Sequence, residues 1–537
     1  MRFAVLSDTH YISESTLYGA GEHSPRDVLR REINRKVFDD LKKRTDIDTI
    51  LITGDLTDAG DLDSHREFAA ILRDVQQSGK RVFVLTATHD FHFSRAWVSV
   101  HDQPVHYRKR PWETPWFDPE NAVYRPLVTE EFADLPEADC VPRIKRAATP
   151  DDLWEIYRAF GRDQAFSSCD SAYSYAVKLT DTVWCLMLNN NFRDFDGNYD
   201  ASPTYSPACF RWIESIVKQA KTEGAFVFAC THHPLVPPVP AYKLGGTPRN
   251  MRNPTVCHML ADIGLSLVFS GHTHFADVAF GSSDGGSVLC NVTTPSICFL
   301  PPAWRLVELE PETHRLRLRT VACEKSDAMQ VEEDSLYTHF IRQFVDDQER
   351  KIGAMPHGLG KLVLGVRVKH LYPLCKAASG LTKQEYAQIA DHRLFDIIMD
   401  LAINMQTGDG RYTPDTPVCK FMMGLAAVAD SVIAAQPLLP IEKKLQGYTV
   451  SQIIEPMLYN NGVPDNDADF VFDRLPDARY PARDYRSRAG DAVMAVLIAA
   501  ALLLSPLSPV AASLALPVMT LLKKKKIRRS PILPERY

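Results

Sequence analysis

The chain has 537 residues, and its 61 basic and 67 acidic side chains leave a formal net charge of −6. This length predicts two or more domains, and the negative balance gives no general attraction to nucleic acid, which argues against a nuclease or another nucleic-acid-binding protein. The eleven cysteines include no Cys-x-x-Cys pair, a pattern typical of reduced thiols in a cytosolic protein. Because Met1 and Arg2 lead straight into an apolar segment, no secretory signal is expected at this end.

Five polar clusters follow short apolar segments in the amino-terminal half. The segments are interpreted as buried strands, so each cluster falls at the carboxyl end of a strand, the edge where open α/β sheets bind ligands. In chain order the clusters are Asp8 with His10, Asp55, His89 with Asp90, His232 with His233, and His272 with His274. Two clusters place their residues two positions apart, so an extended segment directs both side chains to one side.

Carboxylate and imidazole side chains make up these clusters, and both are ligands of Mn, Fe, Zn, Ni and Co. The lack of cysteine argues against a structural zinc site and favours a catalytic one. Asp55 follows a glycine that lets the backbone approach closely, so it is a candidate to bridge two cations about 3.5–4 Å apart. A single histidine of this kind is more often structural, but five clusters in this order predict a two-metal hydrolytic site.

The ordered motifs resemble a known family. Asp-x-His, Gly-Asp, a His-Asp dipeptide after the third strand, His-His-Pro and Gly-His-x-His resemble the signature of the calcineurin-like metallophosphoesterases, over roughly residues 1–320. The resemblance implies an α/β fold, a two-sheet sandwich flanked by helices, with two divalent metal ions and hydrolysis of phosphate esters. The implied ligands are Asp8, His10, Asp55 and His274 for the first metal, and Asp55, His232 and His272 for the second. His89 would face the substrate.

The third motif departs from the family pattern. Where the family usually has Gly-Asn-His and an acidic residue, this chain has Ala87-Thr88-His89-Asp90. The family's asparagine contributes an amide oxygen to the second metal, and the Thr88 hydroxyl at that position is a poorer ligand. The second metal is therefore expected to be held more loosely or to be completed by water. A degenerate, inactive site is the alternative.

The chemistry implied by this centre is in-line attack on phosphorus. Two cations lower the pKa of a bridging water, so that hydroxide exists at neutral pH, and they neutralise the phosphoryl oxygens. His89 would then protonate or stabilise the leaving oxygen. Asp90 is expected to orient the His89 imidazole, with a plain turn residue as the alternative. For His233 a hydrogen-bonding role in its loop is expected.

A long insertion separates the third cluster from the next predicted strands. It spans about 92–170 and holds four of the seven tryptophans, which are Trp97, Trp112, Trp116 and Trp154. One interpretation is a lid whose aromatic and basic side chains hold a base or a phosphate, and the other is a small insert packed on its own aromatics. The acidic segment Asp194 to Asp200 is interpreted as a turn, because its glycine stands too early for a calcium loop.

Helical periodicity follows the predicted catalytic domain, which spans 1–322. Apolar residues at helical spacing predict helices over 336–350, 362–376, 383–405 and 418–435. Thr382 and Glu385 form a predicted capping box at the start of the third helix. The segment 325–480 is therefore expected to be an all-α domain that dimerises, docks a partner or supports a membrane segment.

The carboxyl-terminal tail at 490–529 is hydrophobic. The stretch 492–522 contains 31 residues without a charge, and the basic cluster 523–529 follows directly. This length is enough to span a bilayer, since about 20 residues suffice, but Pro506 and Pro509 would break a helix in the middle. Because basic residues flank both ends and stay cytoplasmic, a re-entrant hairpin or monotopic anchor is favoured over one kinked transmembrane helix. A buried pair of core helices is the third alternative.

Together these features predict a membrane-associated metallophosphoesterase with its catalytic domain in the cytoplasm. The resemblance points to branches that act on cyclic nucleotides or lipid headgroups, so the expected activity is that of a phosphodiesterase and the expected substrate is a cyclic-nucleotide or lipid-linked phosphate ester. A phosphomonoesterase or protein phosphatase is the nearest enzymatic alternative. A non-catalytic membrane adaptor with a degenerate metal site is an alternative of another class. The sequence leaves the metal identity and the oligomeric state open.

Overall fold

The computed structural model describes residues 1–15, 25–58, 60–90, 97–100, 103–106, 140–142, 148, 150–190, 205–236, 254–355, 358–408, 412–435, 449–458 and 466–475. The hydrophobic tail at 490–529, the acidic segment Asp194 to Asp200 and most of the tryptophan-rich insertion lie outside these residues.

Sixteen strands are described, and most of them belong to two large sheets. In chain order they are β1 (Arg2–Leu6), β2 (Thr49–Ile52), β3 (Arg81–Val84), β4 (Trp97–Val100), β5 (Gln103–His106), β6 (Cys140–Pro142), β7 (Ser167–Cys169), β8 (Ser174–Lys178), β9 (Val183–Leu188), β10 (Phe226–Thr231), β11 (Leu267–Ser270), β12 (Asp277–Ser282), β13 (Val288–Thr293), β14 (Ala303–Glu310), β15 (Arg315–Ala322) and β16 (Asp467–Val471).

The described helices fall into two groups. Five accompany the sheets, namely α1 (Pro25–Lys43), α2 (Leu62–Gln77), α3 (Pro150–Ile156), α4 (Pro207–Glu223) and α5 (Pro254–Asp262). The others follow β15, and they are α6 (Leu336–Gly353), α7 (Leu359–Gly365), α8 (Val368–Ser379), α9 (Lys383–Ile389), α10 (Leu394–Thr407), α11 (Pro417–Ala435) and α12 (Val450–Leu458).

Both large sheets are mixed, and each has a parallel centre. The first has the strand order β16-β15-β14-β1-β2-β3, and the second has the order β12-β13-β11-β10-β9-β8-β7. β1, β2 and β3 run parallel, as do β9, β10, β11 and β13. Every residue of β2 and β9 is buried, as expected for apolar strands with both faces covered. The carboxyl ends of the parallel strands therefore lie at one edge of each sheet.

Aromatic side chains join the two sheets face to face. The ring of Phe3 on β1 stacks on Phe228 of β10 with centroids 5.6 Å apart, and it meets the edge of Phe269 on β11 at 5.8 Å. All three rings are fully buried, and burial of each contributes about 1.5–3 kcal/mol. This packing confirms the predicted two-sheet sandwich, and it sets the carboxyl ends of β1 and β11 near each other.

Helices cover both outer faces of the sandwich, as predicted. On the first sheet, Ile33 and Phe38 of α1 and Phe68 of α2 share a core with Ile50 and Ile52. On the second sheet, α4 and α5 bury residues that include Ile213 and Leu260 against β9 and β10. The sandwich therefore has four layers in the order helix, sheet, sheet and helix. One hydrophobic core lies between each pair of neighbouring layers.

The last part of the insertion belongs to the sandwich. Leu153, Tyr157 and Phe160 lie in the core under the first sheet, and β7 pairs with β8 at the edge of the second. Trp154 packs against Tyr173 with ring centroids 5.7 Å apart. The lid predicted over 92–170 therefore does not include 150–169, because apolar residues there are buried in the main fold. Strands β4, β5 and β6 form a separate three-stranded sheet.

Helices α8 to α12 build a core of their own, around Val368, Cys375, Ile397 and Phe421. Two predicted helices are each divided in the structure, into α7 with α8 and into α9 with α10. The predicted capping box is confirmed, since the Thr382 hydroxyl accepts from the Glu385 N–H at 3.2 Å and the Glu385 carboxylate accepts from the Thr382 N–H at 2.7 Å.

One strand corrects the all-α prediction for 325–480. β16 lies in this segment and pairs antiparallel with β15 at the edge of the first sheet. The segment also contacts the loop that follows β11, since the N–H of Ala276 donates to the carbonyl of Gln406 on α10 at 2.8 Å. The carboxyl-terminal segment is therefore attached to the sandwich through β16, through α10 and through α6, whose Leu336 and Phe340 lie in the core of the first sheet. Across the described ranges, no helix has both the length and the apolar character needed to cross a membrane.

Candidate metal centre

Loops from five strands meet at the carboxyl edges of the two sheets. These loops follow β1, β2, β3, β10 and β11, and they carry in turn Asp8, Asp55, His89, His232 and His272. The N–H of Asp8 donates to the Gly54 carbonyl at 3.0 Å, and the N–H of Gly271 donates to the His232 carbonyl at 2.9 Å. The structure thus brings the five predicted clusters to one place.

The backbone is left-handed at five of the predicted ligands. The angle φ is 52° at Asp8, 42° at His10, 49° at Asp55, 67° at His272 and 60° at His274. Only two other non-glycine residues in the described ranges, Tyr173 and His314, share this conformation. It costs a side-chain-bearing residue roughly 1–3 kcal/mol and persists only where the surroundings enforce it. The occurrence of this strained backbone conformation at five predicted ligands indicates a functional site, independently of the sequence motifs.

Asp8, His10 and His274 form the first cluster. The Asp8 Oδ1 atom lies 3.3 Å from Nε2 of His274 and 3.8 Å from Nε2 of His10, and the two nitrogens are 3.3 Å apart. The Asp8 Oδ2 atom instead accepts hydrogen bonds from the Ser7 hydroxyl and from the N–H of His272. One carboxylate oxygen is therefore fixed by the protein, while the other faces two imidazole nitrogens.

Asp55, His232 and His272 form the second cluster. The Asp55 Oδ2 atom lies 3.2 Å from Nε2 of His232, and the ring of His272 lies 5.1 Å from that of His232. Donor atoms of Asp8, Asp55 and His232 also lie within 4.8 Å of one another, so Asp55 stands between the clusters, where a bridging ligand belongs. Gly54 has a φ of 105°, and a Cβ there would come within 2.7 Å of His232, so the position requires glycine.

Hydrogen bonds determine which imidazole nitrogen faces the centre. His10 Nδ1 lies 3.2 Å from Oδ1 of Asp58, and His232 Nδ1 lies 2.9 Å from the carbonyl oxygen of Thr53. Because both partners are acceptors, each Nδ1 donates, and Nε2 is the atom left to bind a cation. Histidines that bind metals are usually held in this way.

The carboxylates and imidazoles of the centre shift one another's pKa values. Burial would lower the pKa of His10, but Asp58 and Asp8 raise it to about 9. Burial would also lower the pKa of His232, but the neighbouring Asp55 carboxylate raises it to about 9. Burial would raise the pKa of Asp8, but the imidazoles of His274 and His10 hold it well below its usual range. The carboxylates thus favour positive charge in their midst, which bound cations would supply.

Asp58 belongs to this site, although the sequence motifs did not single it out. Its carboxylate lies 2.8 Å from the Arg30 guanidinium as well as beside His10, and its backbone carbonyl accepts a hydrogen bond from Nδ1 of His89 at 2.9 Å. Asp58 therefore orients two predicted site histidines. Its position three residues after Asp55, in the same loop, is the signal that could have identified it.

Asp90 does not orient His89, contrary to the prediction. Its carboxylate accepts hydrogen bonds from the backbone N–H groups of Leu56, Thr57 and Ala87, at 3.2, 2.8 and 2.7 Å, and from the Thr57 hydroxyl at 3.2 Å. Adjacent residues in a helical turn such as Thr88–Asp90 do not face each other, so Asp90 reaches the loop after β2 while His89 reaches Asp58. Asp90 holds these two loops together.

The other two residues of the third motif lie beside different clusters. The His89 ring is 4.7 Å from that of His10, next to the first cluster, and the backbone N–H of His89 donates to Oδ1 of Asp55 at 2.8 Å. Thr88 lies next to the second cluster, where its hydroxyl oxygen is 3.3 Å from Nε2 of His233. The structure therefore places both residues at the centre, with an imidazole nitrogen close to Thr88.

The donor atoms of the two clusters fit divalent cations. Oδ1 of Asp8 and Nε2 of His232 are buried, and neither has a hydrogen-bond partner among the residues that the structure describes. Such atoms are costly to bury unless another group binds them. Oxygen and nitrogen donors without sulfur suit Mn, Fe, Zn, Ni and Co alike, so the donor set does not select one metal.

The residues that build this centre match a known family. The family model of the calcineurin-like phosphoesterases matches residues 1–276, just over half of the chain. A dimetal phosphatase from Danio rerio is 11% identical, with 60% of this chain and 97% of that chain covered and a TM-score of 0.38. A purple acid phosphatase from seeds of yellow lupin, Lupinus luteus, is 11% identical, with 62% and 52% covered and a TM-score of 0.31. Comparison with curated proteins finds no match. From the family match over more than half of its length, the chain belongs to the calcineurin-like phosphoesterases.

Proposed function

We propose that the protein is a phosphodiesterase that uses two divalent cations. Family membership supports a hydrolase of phosphate esters in general. The observation that carries the proposal is a chain of adjoining donor groups, in each of which the donor atoms lie within 4.8 Å of one another; the groups are Asp8 with His10 and His274, Asp8 with Asp55 and His232, and His232 with His233 and His272. In this proposal Asp8, His10, Asp55 and His274 hold one cation, and Asp55, His232 and His272 hold the other.

The chain's own residues have distinct tasks in this reaction. Bound cations would lower the pKa of a water molecule and neutralise the phosphoryl oxygens. Asp55 would fix the spacing of the two sites, and Asp58 would keep the His10 imidazole in position through the 3.2 Å contact. His89 donates from Nδ1 to the Asp58 carbonyl, so in this proposal Nε2 is the nitrogen that would exchange a proton with the leaving oxygen. In the proposal His89 carries a proton on both ring nitrogens, gives the Nε2 proton to the leaving oxygen and keeps the Nδ1 proton bonded to the Asp58 carbonyl, while Asp90 has no part in the chemistry.

The charge near the first cluster supports a diester substrate. A phosphomonoester carries nearly two negative charges at neutral pH, one more than a diester, and therefore needs additional cationic partners. The Arg30 guanidinium lies 4.9 Å from the centroid of the Phe299 ring beside this cluster, but it is 2.8 Å from the Asp58 carboxylate and is buried with it. That pairing neutralises the charge of Arg30, so Arg30 would do little to stabilise the second negative charge of a phosphomonoester.

Arg26 favours the second candidate, a phosphomonoesterase or protein phosphatase. Its guanidinium lies over the ring of Phe299, 5.0 Å from the centroid, and Phe299 stacks on His274 at 4.5 Å. Arg26 is exposed, so it provides a cation at the rim of the first cluster. A dianionic phosphate would use such a cation, because charge-assisted hydrogen bonds to phosphate are strong.

Hydrolysis of two model esters tests the proposal. With Mn²⁺ added, the full chain is expected to cleave bis(p-nitrophenyl) phosphate faster than p-nitrophenyl phosphate. The Asp55→Asn variant is expected to lose the diester activity by more than about a hundredfold, because even outer-shell changes at metal sites cost 10–100-fold. Elemental analysis after gel filtration should find two metal ions per chain in wild type and fewer than two in the Asp55→Asn variant.

A matched control is Asp181→Asn, which changes an exposed aspartate in the turn between β8 and β9 and should leave both rates unchanged. Faster cleavage of the monoester would favour the second candidate. A folded wild-type chain that binds fewer than two metal ions and cleaves neither ester would instead support the non-catalytic adaptor.

The tail at 490–529 extends the proposal to the membrane. Its 31 uncharged residues and the basic cluster after them would tether the enzyme, with the catalytic domain in the cytoplasm, close to lipid-linked phosphate esters. The full chain is expected to sediment with vesicles that contain phosphatidylserine, and a chain that ends at residue 489 is expected to stay in the supernatant. Equal sedimentation of both chains would contradict the tether.

A further inference from the structure

His233 lies among the donors of the second cluster. Its ring centroid is 4.2 Å from that of His272 and 4.9 Å from that of His232, and one nitrogen of each of the three lies within 4.8 Å of the other two. Only 3% of His233 is exposed, so solvent has little access to the ring. Three imidazole nitrogens that converge in a buried space are a suitable donor set for one divalent cation.

A hydrogen bond directs one nitrogen of His233 toward this space. The Asn190 side-chain oxygen lies 3.1 Å from Nδ1, and Asn190 is itself fully buried, two residues after the end of β9. Because an amide oxygen only accepts, Nδ1 carries the proton, and Nε2 keeps a lone pair. His10 and His232 are held by acceptors at Nδ1 in the same way. His233 thus has the orientation shared by two of the proposed ligands.

Thr88 provides the second part of the argument. Its hydroxyl oxygen lies 3.3 Å from Nε2 of His233, so hydroxyl and imidazole approach the cluster from neighbouring positions. A neutral hydroxyl is a weak ligand for transition metals, whereas an imidazole nitrogen is a strong one. Of these two groups, the imidazole is the one that a cation would select.

We infer that Nε2 of His233 is a ligand of the second metal ion, beside Asp55, His232 and His272, and that the Thr88 hydroxyl is not. The inference rests on the proposed function, since it assumes a cation at the second cluster. The Thr88 hydroxyl then lines the site without binding metal, and the ion takes its place at Nε2 of His233. Three imidazoles and one carboxylate favour Zn, Co, Ni or Mn at this position over Mg or Ca, which prefer oxygen ligands.

Titration of the full chain with Co²⁺ tests the inference, through calorimetry and the visible absorption of the bound ion. Wild type is expected to bind two ions. His233→Ala should weaken the second ion by at least about a hundredfold, above the 10–100-fold range of an outer-shell change, and should alter its absorption spectrum. Thr88→Val removes the hydroxyl at nearly constant volume, and it should weaken the second ion by less than about tenfold.

Added imidazole distinguishes a ligand from a packing residue. In His233→Ala the free imidazole is expected to restore binding of the second Co²⁺, which loss of packing alone would not allow. If the alanine variant does not fold, His233→Gln retains most of the side chain and should show the same selective loss.

The outcomes separate this inference from the proposal on which it rests. Binding of both ions by the His233 variants with wild-type affinity overturns the inference, as does loss of the second ion in Thr88→Val. In either case the two-metal function stands, because wild type still binds two ions. A wild-type chain that binds a single Co²⁺ overturns the proposed function and the inference with it.

Discussion

Replacement of Asp90 by alanine is expected to lower the free energy of unfolding by about 3–5 kcal/mol, because three buried backbone N–H groups would lose their acceptor. These donors belong to Leu56, Thr57 and Ala87. Asp90 is fully buried, so water cannot readily replace the carboxylate. Thermal unfolding of the full chain should show a midpoint lower by roughly 6–10 °C. Metal content should fall as well, because the loops that carry Asp55 and His89 would no longer be held together.

The Asp90→Asn variant is the matched control for this prediction. One carboxylate oxygen accepts both hydrogen bonds from Thr57, and the other accepts those from Leu56 and Ala87. An amide retains one acceptor oxygen and turns its NH₂ group toward the remaining donors, so an intermediate loss of stability is expected. If both variants unfold at the wild-type temperature but lose activity, Asp90 acts on His89 after all, and the role assigned from the hydrogen bonds is wrong.

The sandwich and its functional edge could be predicted because their signals are local. Apolar segments followed directly by Asp or His place strand and cluster next to each other in the sequence, and β1, β2, β10 and β11 end where this pattern indicates. The strand β16 carries no comparable signal. Its pairing depends on contacts such as the ion pair of Arg315 with Asp469, residues 154 positions apart, which no short pattern reveals.

Within the site, residue types could be predicted, but the partners of each side chain could not. Asp90 stands next to His89 in the sequence, yet its carboxylate is bound by the loop after β2, which arrives from another strand. Asp58 acquires its role from His10 and from Arg30 on α1, both distant in sequence. The left-handed backbone at Asp8 or His274 is likewise imposed by neighbouring loops, so it becomes visible only in three dimensions.

Replacement of Gly271 by alanine is expected to remove metal from the first cluster and to destabilise the sandwich. A Cβ at this position would lie 1.7 Å from the Ser7 hydroxyl oxygen and 2.6 Å from Oδ2 of Asp8, far inside normal contact distance. The Ser7 hydroxyl donates to that same Asp8 oxygen, so the added methyl group must displace the anchor of a proposed ligand. We expect metal affinity to fall by at least about a hundredfold, beyond the usual outer-shell effect.

Thermal unfolding with and without Mn²⁺ measures this effect, because a ligand that binds only the folded state raises its stability. Wild type should be stabilised by the metal, and Gly271→Ala should gain little. Gly285→Ala is the matched control, since a Cβ there would meet no described atom closer than 3.5 Å, and its response to Mn²⁺ should equal that of wild type. An unchanged response in Gly271→Ala would show that β1 and β11 are not in close contact at this point. The absence of a side chain at Gly271 is what lets a loop of the second sheet touch Asp8 on the first, and the metal centre depends on that contact.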